Sequence, residues 1–66
     1  MKTLVNGKEI ELSDNATIAT LTNQLQTPEK GVAIAVNNKM ISREEWPSYC
    51  LNENDTIVII KAACGG

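Results

Sequence analysis

The 66-residue chain has no histidine, only two cysteines and only two aromatic residues, Trp46 and Tyr49. Without histidine it lacks the most common general base of enzyme active sites. Two cysteines are too few for a structural zinc site, and no glycine-rich loop of the kind that cradles phosphate is present. We therefore expect neither an enzyme nor a metalloprotein.

Concentrated positive charge and long apolar runs are also missing. Six basic residues stand against eight acidic ones, for a net charge of −2, and the basic residues are dispersed. Binding of a phosphate backbone needs a basic stripe, and base stacking needs aromatic side chains. No run approaches the roughly 18 apolar residues of a membrane-spanning helix. We expect no nucleic-acid partner and no membrane partner.

The cysteine content bears on the cellular compartment. Small secreted proteins usually carry about four or more cysteines, and no long apolar signal segment follows Met1. We therefore expect a cytoplasmic protein. Cys50 is expected to be a small buried side chain, and Cys64 an ordinary exposed thiol without a required role.

The first third of the chain predicts a hairpin followed by a helix. Asn6-Gly7 suits the positive φ angles of a two-residue type I′ turn, and the alternation of Lys8–Leu12 leaves one strand face in water. Apolar residues then recur at helical spacing. They are Ile18, Leu21 and Leu25, and we expect packing of this face on the core to hold the helix together. Thr17 is the expected N-cap, and Thr27-Pro28 should end the helix.

The remainder predicts three further strands. Val32–Val36 is an apolar run closed by Asn37-Asn38, Lys39–Ile41 is a short return strand, and Thr56–Ile60 is the last strand. Between them, Ser42 and Glu45 have the spacing of a capping box on one helical turn. Arg43 could pair with Glu44 or Glu45 or reach a partner, and we favour the local pairing. We expect Trp46 to lie in the core and Asn54-Asp55 to form a tight turn.

This order of elements predicts an α+β fold. A mixed sheet of four to five strands is expected, with one main helix packed on one face, in a single domain 1–66 with a flexible tail 62–66. Because one helix covers only one face, Leu4, Val58 and Ile60 should remain exposed on the other. We interpret them as a partner surface, although scattered surface hydrophobes would look the same.

The chain ends in Gly65-Gly66, soon after the last strand. Residues without a Cβ can enter a narrow channel of a partner in an extended form. A carboxylate is inert toward nucleophiles until it is activated, so we expect a partner enzyme that supplies ATP. The alternative is that the two glycines are simply a flexible end.

Four segments in a fixed order carry a family resemblance. They are Gly31–Asn37, Arg43–Trp46, Asn54–Ile57 and Gly65–Gly66. In this combination the chain resembles, essentially end to end, the ThiS family of bacterial sulfur carriers in thiamine biosynthesis. It departs from the family pattern at Ser42, where proline is frequent, and at Asn54, where glycine is frequent. Both replacements suit their local geometry.

The resemblance implies a β-grasp fold like that of ubiquitin and a chemical role for Gly66. In the family, a ThiF-type adenylating enzyme similar to the ubiquitin-activating enzymes converts the terminal carboxylate to an acyl adenylate with ATP and Mg²⁺. Sulfur from a desulfurase persulfide then yields a thiocarboxylate, which a ThiG-type thiazole synthase accepts. The carrier itself binds no permanent cofactor and catalyses nothing.

Other functions remain open at this stage. The nearest alternative is the small subunit of molybdopterin synthase, a family that tends to be longer and lacks the Arg-x-x-Trp turn. A ubiquitin-like modifier and a plain interaction module with incidental glycines follow. An enzyme is the least favoured hypothesis, because the chain has no histidine, no zinc ligand set and no glycine-rich phosphate loop.

Overall fold

The computed structural model describes residues 1–27 and 30–61. Within them the strands form one five-stranded mixed sheet in the order β2-β1-β5-β3-β4. The elements are β1 (Lys2–Val5), β2 (Lys8–Glu11), α1 (Ile18–Gln24), β3 (Val32–Val36), β4 (Lys39–Ile41), a 3-10 turn (Arg43–Glu45) and β5 (Thr56–Lys61). The predicted mixed sheet with one main helix is confirmed. The predicted tail, residues 62–66, lies outside the described residues.

Two hairpins turn on asparagine. Asn6 and Gly7 have φ angles of 52° and 81°, and Asn37 and Asn38 have φ angles of 52° and 70°. Positive φ at both central residues is the requirement of a type I′ turn, whose twist matches that of the flanking strands. The hairpin predicted from Asn6-Gly7 is therefore confirmed, and a second one joins β3 to β4.

Helix α1 begins as predicted but ends earlier. The Thr17 hydroxyl accepts a hydrogen bond from the Thr20 backbone N–H at 3.2 Å, as an N-cap should. The expectation that Leu25 packs on the core is wrong, because Leu25 is already the C-cap, Gln26 has a φ of 55°, and the Leu25 side chain is 37% exposed. Thr22 takes the buried position instead and donates to the Ala19 carbonyl oxygen at 3.0 Å.

The capping box predicted at Ser42 is also wrong. The Ser42 hydroxyl accepts no hydrogen bond from a backbone N–H and instead donates one to the Glu45 carboxylate at 3.1 Å. The turn is a 3-10 turn, so the Glu45 N–H that a capping hydroxyl would accept already donates to the Ser42 carbonyl oxygen at 3.0 Å. Trp46 is buried as expected, and its indole N–H donates to the Ile41 carbonyl oxygen at 3.3 Å.

The core lies between α1 and the inner face of the sheet. It contains the buried side chains Val5, Leu12, Ala16, Ile18, Leu21, Ile34, Val36, Ile41, Trp46, Leu51, Ile57 and Ile59. The prediction that Cys50 is buried is wrong, since its side chain is exposed. Cys50 forms an extended bridge with Thr17, and because the next residue, Leu51, points into the core, alternation directs Cys50 to solvent.

Candidate functional site

The face of the sheet opposite α1 is apolar and open. In β5, Ile57 and Ile59 point inward, whereas Val58 and Ile60 are 39% and 48% exposed. In β1, Leu4 is 39% exposed between buried Thr3 and Val5. The predicted exposure of Leu4, Val58 and Ile60 is thus confirmed, while their role as a partner surface remains a prediction.

The sheet register places these side chains on one continuous surface. Leu4 pairs with Thr56 across the parallel β1–β5 ladder, so it lies diagonally next to Val58 on the same face. On the other side of β5, Val58 pairs with Ala35 and Ile60 pairs with Ala33. Because alanine side chains are short, β3 forms a low floor beside the two larger residues of β5.

Met40 also lies on this surface, and its place there was not predicted from the sequence. It pairs with Ala35 from the β4 side and is 60% exposed, the most of any large apolar side chain in the described part of the chain. Alternation gives the signal, since Ile41 is core and its neighbour must point outward. We call Leu4, Ala33, Ala35, Met40, Val58 and Ile60 the apolar face.

Charge borders the apolar face along β2. Glu9 pairs with Leu4, and Glu11 pairs with Lys2, so both carboxylates lie on the outer side of the sheet. Glu11 also accepts a hydrogen bond from the Met1 amino group at 3.0 Å, which raises the pKa of that amine above its ordinary value of 8.0. Glu9 takes part in no ion pair among residues 1–27 and 30–61. Glu11 is therefore balanced by the Met1 amino group, and Glu9 is the carboxylate of this border without an ion-pair partner among the described residues.

A groove of about 720 Å³ lies on the helix side, between α1 and the 3-10 turn. Hydroxyl and amide side chains of α1 line it together with Arg43 and Trp46. The expected pairing of Arg43 with Glu44 or Glu45 is wrong, because the ion pairs of the described residues all involve the Met1 amino group. The groove carries a cation but no acid–base pair among its described lining residues.

Two further observations concern the described residues. They contain no group of three or more His, Cys, Asp or Glu side chains placed to hold a metal ion. Helix α1, with 7 residues, is far too short to cross a bilayer, and no described helix has the length and apolar character of a membrane span.

Comparison with known proteins gives the family. The model of the ThiS family matches residues 1–66. The chain belongs to the ThiS family. A curated relative, the sulfur carrier protein ThiS of Escherichia coli strain K12, is 27% identical over 66 residues, with 100% of both chains covered.

A solved ThiS structure confirms the fold. The crystal structure of the thiamine biosynthesis protein ThiS from Geobacter metallireducens superimposes with a TM-score of 0.84 and covers 100% of both chains at 20% identity. The β-grasp fold expected from the resemblance is therefore confirmed. The ThiS-family residues predicted to carry the chemistry, Gly65 and Gly66, lie outside the described residues, as does Cys64. Lys61, the last residue of β5, is the last one described.

Proposed function

We propose that the protein is the sulfur carrier of thiamine biosynthesis and that the Gly66 carboxylate holds the sulfur. The main support is the match to the ThiS family over residues 1–66, which includes Gly65-Gly66. The E. coli relative named as a sulfur carrier aligns from end to end, so the last residues of the two chains correspond.

The first step activates the carboxylate on a ThiF-type adenylating enzyme. A Gly66 carboxylate oxygen attacks the α-phosphorus of Mg²⁺-bound ATP, pyrophosphate leaves, and an acyl adenylate forms. Glycine at the last two positions allows the tail to lie extended in a narrow active-site channel, since neither residue has a Cβ to meet the channel walls.

The second step exchanges oxygen for sulfur. The terminal sulfur of a cysteine persulfide, supplied by a desulfurase, attacks the acyl carbon, and AMP leaves. A thiol then attacks the donor cysteine sulfur of the acyl disulfide, so that the thiocarboxylate leaves and a mixed disulfide with the donor cysteine forms. A second thiol reduces this mixed disulfide, which frees the donor cysteine and leaves the two reducing thiols joined as a disulfide. The thiocarboxylate is anionic at neutral pH and nucleophilic at sulfur, so it can pass sulfur to a ThiG-type thiazole synthase without releasing free sulfide.

The carrier acts in these steps as a protein substrate. In support of this role, β5 is the last described element before the tail, and the same strand carries the exposed side chains Val58 and Ile60. We propose that the apolar face docks on the adenylating enzyme and on thiazole synthase. Apolar surfaces of this kind on small soluble domains commonly mark binding sites.

Reconstituted thiazole formation tests this function. A ThiF-type enzyme, a ThiG-type thiazole synthase, a desulfurase with cysteine, ATP and the carbon substrates should produce the thiazole phosphate only when the carrier is present. Deletion of Gly66 should abolish the product and leave the circular dichroism spectrum unchanged. Product formed without the carrier, or equally well with the deletion variant, would contradict the proposal.

The same assay separates the nearest alternatives. The small subunit of molybdopterin synthase would support sulfur transfer to a pterin precursor in the presence of the large subunit and would not support thiazole formation. A ubiquitin-like modifier would yield conjugates on lysine side chains of other proteins.

A further inference from the structure

Strand β5 loses one neighbour halfway along its length. In the described sheet, β1 pairs with β5 at Leu4–Thr56 and Val5–Ile57, and the chain then leaves the sheet at the Asn6-Gly7 turn. On its other side, β5 stays paired with β3 as far as Lys61. Among residues 1–27 and 30–61, the second half of β5 therefore has β3 on one side and no strand on the other.

The side chain of Asn6 occupies the start of this open edge. Its Oδ1 accepts the Ile59 backbone N–H at 2.8 Å, and its Nδ2 donates to the Ile59 carbonyl oxygen at 3.4 Å. The Asn6 backbone N–H still donates to the Ile57 carbonyl oxygen at 2.9 Å, as the parallel ladder requires. If the ladder continued, the Asn6 backbone carbonyl would accept the Ile59 N–H, and a residue two positions later would donate to the Ile59 carbonyl oxygen. The Asn6 carboxamide bonds both of these Ile59 groups in place of the backbone.

Asn37 makes a similar contact at the opposite end of β5. It has the same φ of 52° at the same position of the second hairpin turn. Its Oδ1 accepts the Thr56 backbone N–H at 3.0 Å, and its Nδ2 donates to the Asp55 carboxylate at 3.0 Å. The two hairpin asparagines therefore brace the two ends of the same strand, and only Asn6 braces the end near the tail.

We propose that Asn6 is a positioning residue for loading of the tail, an inference that rests on the proposed function. By holding Ile59, Asn6 fixes the position of the last residues of β5, Ile60 and Lys61, relative to the rest of the apolar face. A partner that grips both the apolar face and the tail then meets them at a set spacing.

The physical reason is preorganisation. A strand end with one ladder frays more readily than one with two, and ordering a frayed segment at the moment of binding costs free energy. This cost weakens the binding of the carrier to its partner. It does not raise the barrier of the chemical step at Gly66, which takes place after the tail has been bound. Loss of the Asn6 carboxamide should therefore raise the KM for the carrier and leave kcat nearly unchanged.

The test compares Asn6→Gly with Asn37→Gly in the loading reaction, with a ThiF-type enzyme, ATP and a persulfide donor. Glycine accepts the positive φ at both positions, so each change deletes a carboxamide without backbone strain. Asn6→Gly should raise the KM for the carrier about threefold to tenfold, the size expected for one lost hydrogen-bonded contact. Asn37→Gly should leave the KM within about twofold of wild type, because its contacts lie at the far end of β5.

Amide hydrogen exchange supplies a readout on the free carrier. Exchange at Ile59 should accelerate in Asn6→Gly, and exchange at Thr56 should accelerate in Asn37→Gly. Asn6→Asp keeps an oxygen that can accept the Ile59 N–H but loses the donor, so its KM should fall between wild type and Asn6→Gly. All kinetics are measured where circular dichroism shows every variant to be folded.

Two results would overturn the inference. One is an unchanged KM in Asn6→Gly, and the other is an equal rise in Asn37→Gly, which would reduce the effect to general stability. Failure of the proposed function looks different, because wild-type carrier would then not be loaded at all.

Discussion

Asp55 shows at the scale of one residue how polar contacts hold the chain where β5 begins. Its side chain is buried, and its carboxylate accepts the Asn52 backbone N–H at 2.7 Å and the Asn37 amide at 3.0 Å. Asn54 before it has a φ of 69°. The sequence predicts a tight turn at Asn54-Asp55, and the structure confirms it. One partner of the carboxylate, Asn52, lies three residues earlier in the same turn, whereas the other, Asn37, comes from the β3–β4 turn and has no local signature.

Replacing Asp55 with alanine should lower the free energy of unfolding by about 2 kcal/mol, because two donors would lose their acceptor in a partly buried site. Urea denaturation followed by circular dichroism measures this change. Glu53→Ala, at an exposed position two residues earlier, is the control and should change stability by less than about 0.5 kcal/mol. A loss at Asp55 no larger than that of the control would show that these hydrogen bonds contribute little.

At the scale of elements, the accuracy of the sequence predictions depends on how far apart the determining residues are. The Asn6-Gly7 turn, the Thr17 cap and the alternation of β5 depend on neighbouring residues, and all three are confirmed. The prediction for Leu25 was wrong because the helical spacing of apolar residues includes it, whereas helix α1 ends at Gln24. The exposure of Leu25 therefore depends on the path of the loop towards β3, which local spacing does not determine.

The distance along the chain between the determining residues also explains the wrong predictions for Cys50 and Arg43 and the partial prediction of the apolar face. The exposure of Cys50 follows from its bridge to Thr17, which lies 33 residues earlier in the chain. The direction of the Arg43 side chain depends on how the 3-10 turn packs against α1, since Arg43 lines the groove between them. The exposure of Leu4, Val58 and Ile60 could be predicted because it follows from side-chain alternation along a strand and from a single helix that covers one face of the sheet. Their alignment with Met40 depends on strand order, which the sequence pattern does not determine.

Helix α1 offers a direct test of burial. Leu21 is fully buried, whereas Leu25 is 37% exposed. Leu21→Ala should cost about 2–5 kcal/mol, as expected for a large-to-small change in a packed core. Leu25→Ala, chemically the same substitution, should cost less than about 1 kcal/mol. Thermal and urea unfolding of the two variants compare them, and equal losses would mean that Leu25 packs on the core after all.

At the scale of the whole molecule, the two faces of the sheet differ in their surroundings. The inner face packs on α1 and forms the core, to which Leu4, Met40, Val58 and Ile60 do not belong. The outer face exposes these four side chains, and we proposed above that they contact a partner. Glu9, beside Leu4 and without an ion-pair partner among the described residues, favours a partner that carries a basic residue next to its apolar contact.

Introducing a negative charge into the apolar face should therefore affect binding more than folding. Ile60→Glu and Met40→Glu should each weaken binding to the ThiF-type enzyme by about tenfold or more, since a carboxylate would be buried against apolar surface. Isothermal titration calorimetry measures the affinity, and urea unfolding the stability. Asn23→Glu, exposed on α1, is the control and should leave binding unchanged. Unchanged binding in both surface variants would place the interface elsewhere.

The most direct test of the carrier function is the mass of the chain after incubation with the ThiF-type enzyme, ATP and a persulfide donor. The account predicts a gain equal to one oxygen replaced by sulfur, which fragmentation assigns to Gly66. No gain, or sulfur found on Cys50 or Cys64 and not on Gly66, would contradict it.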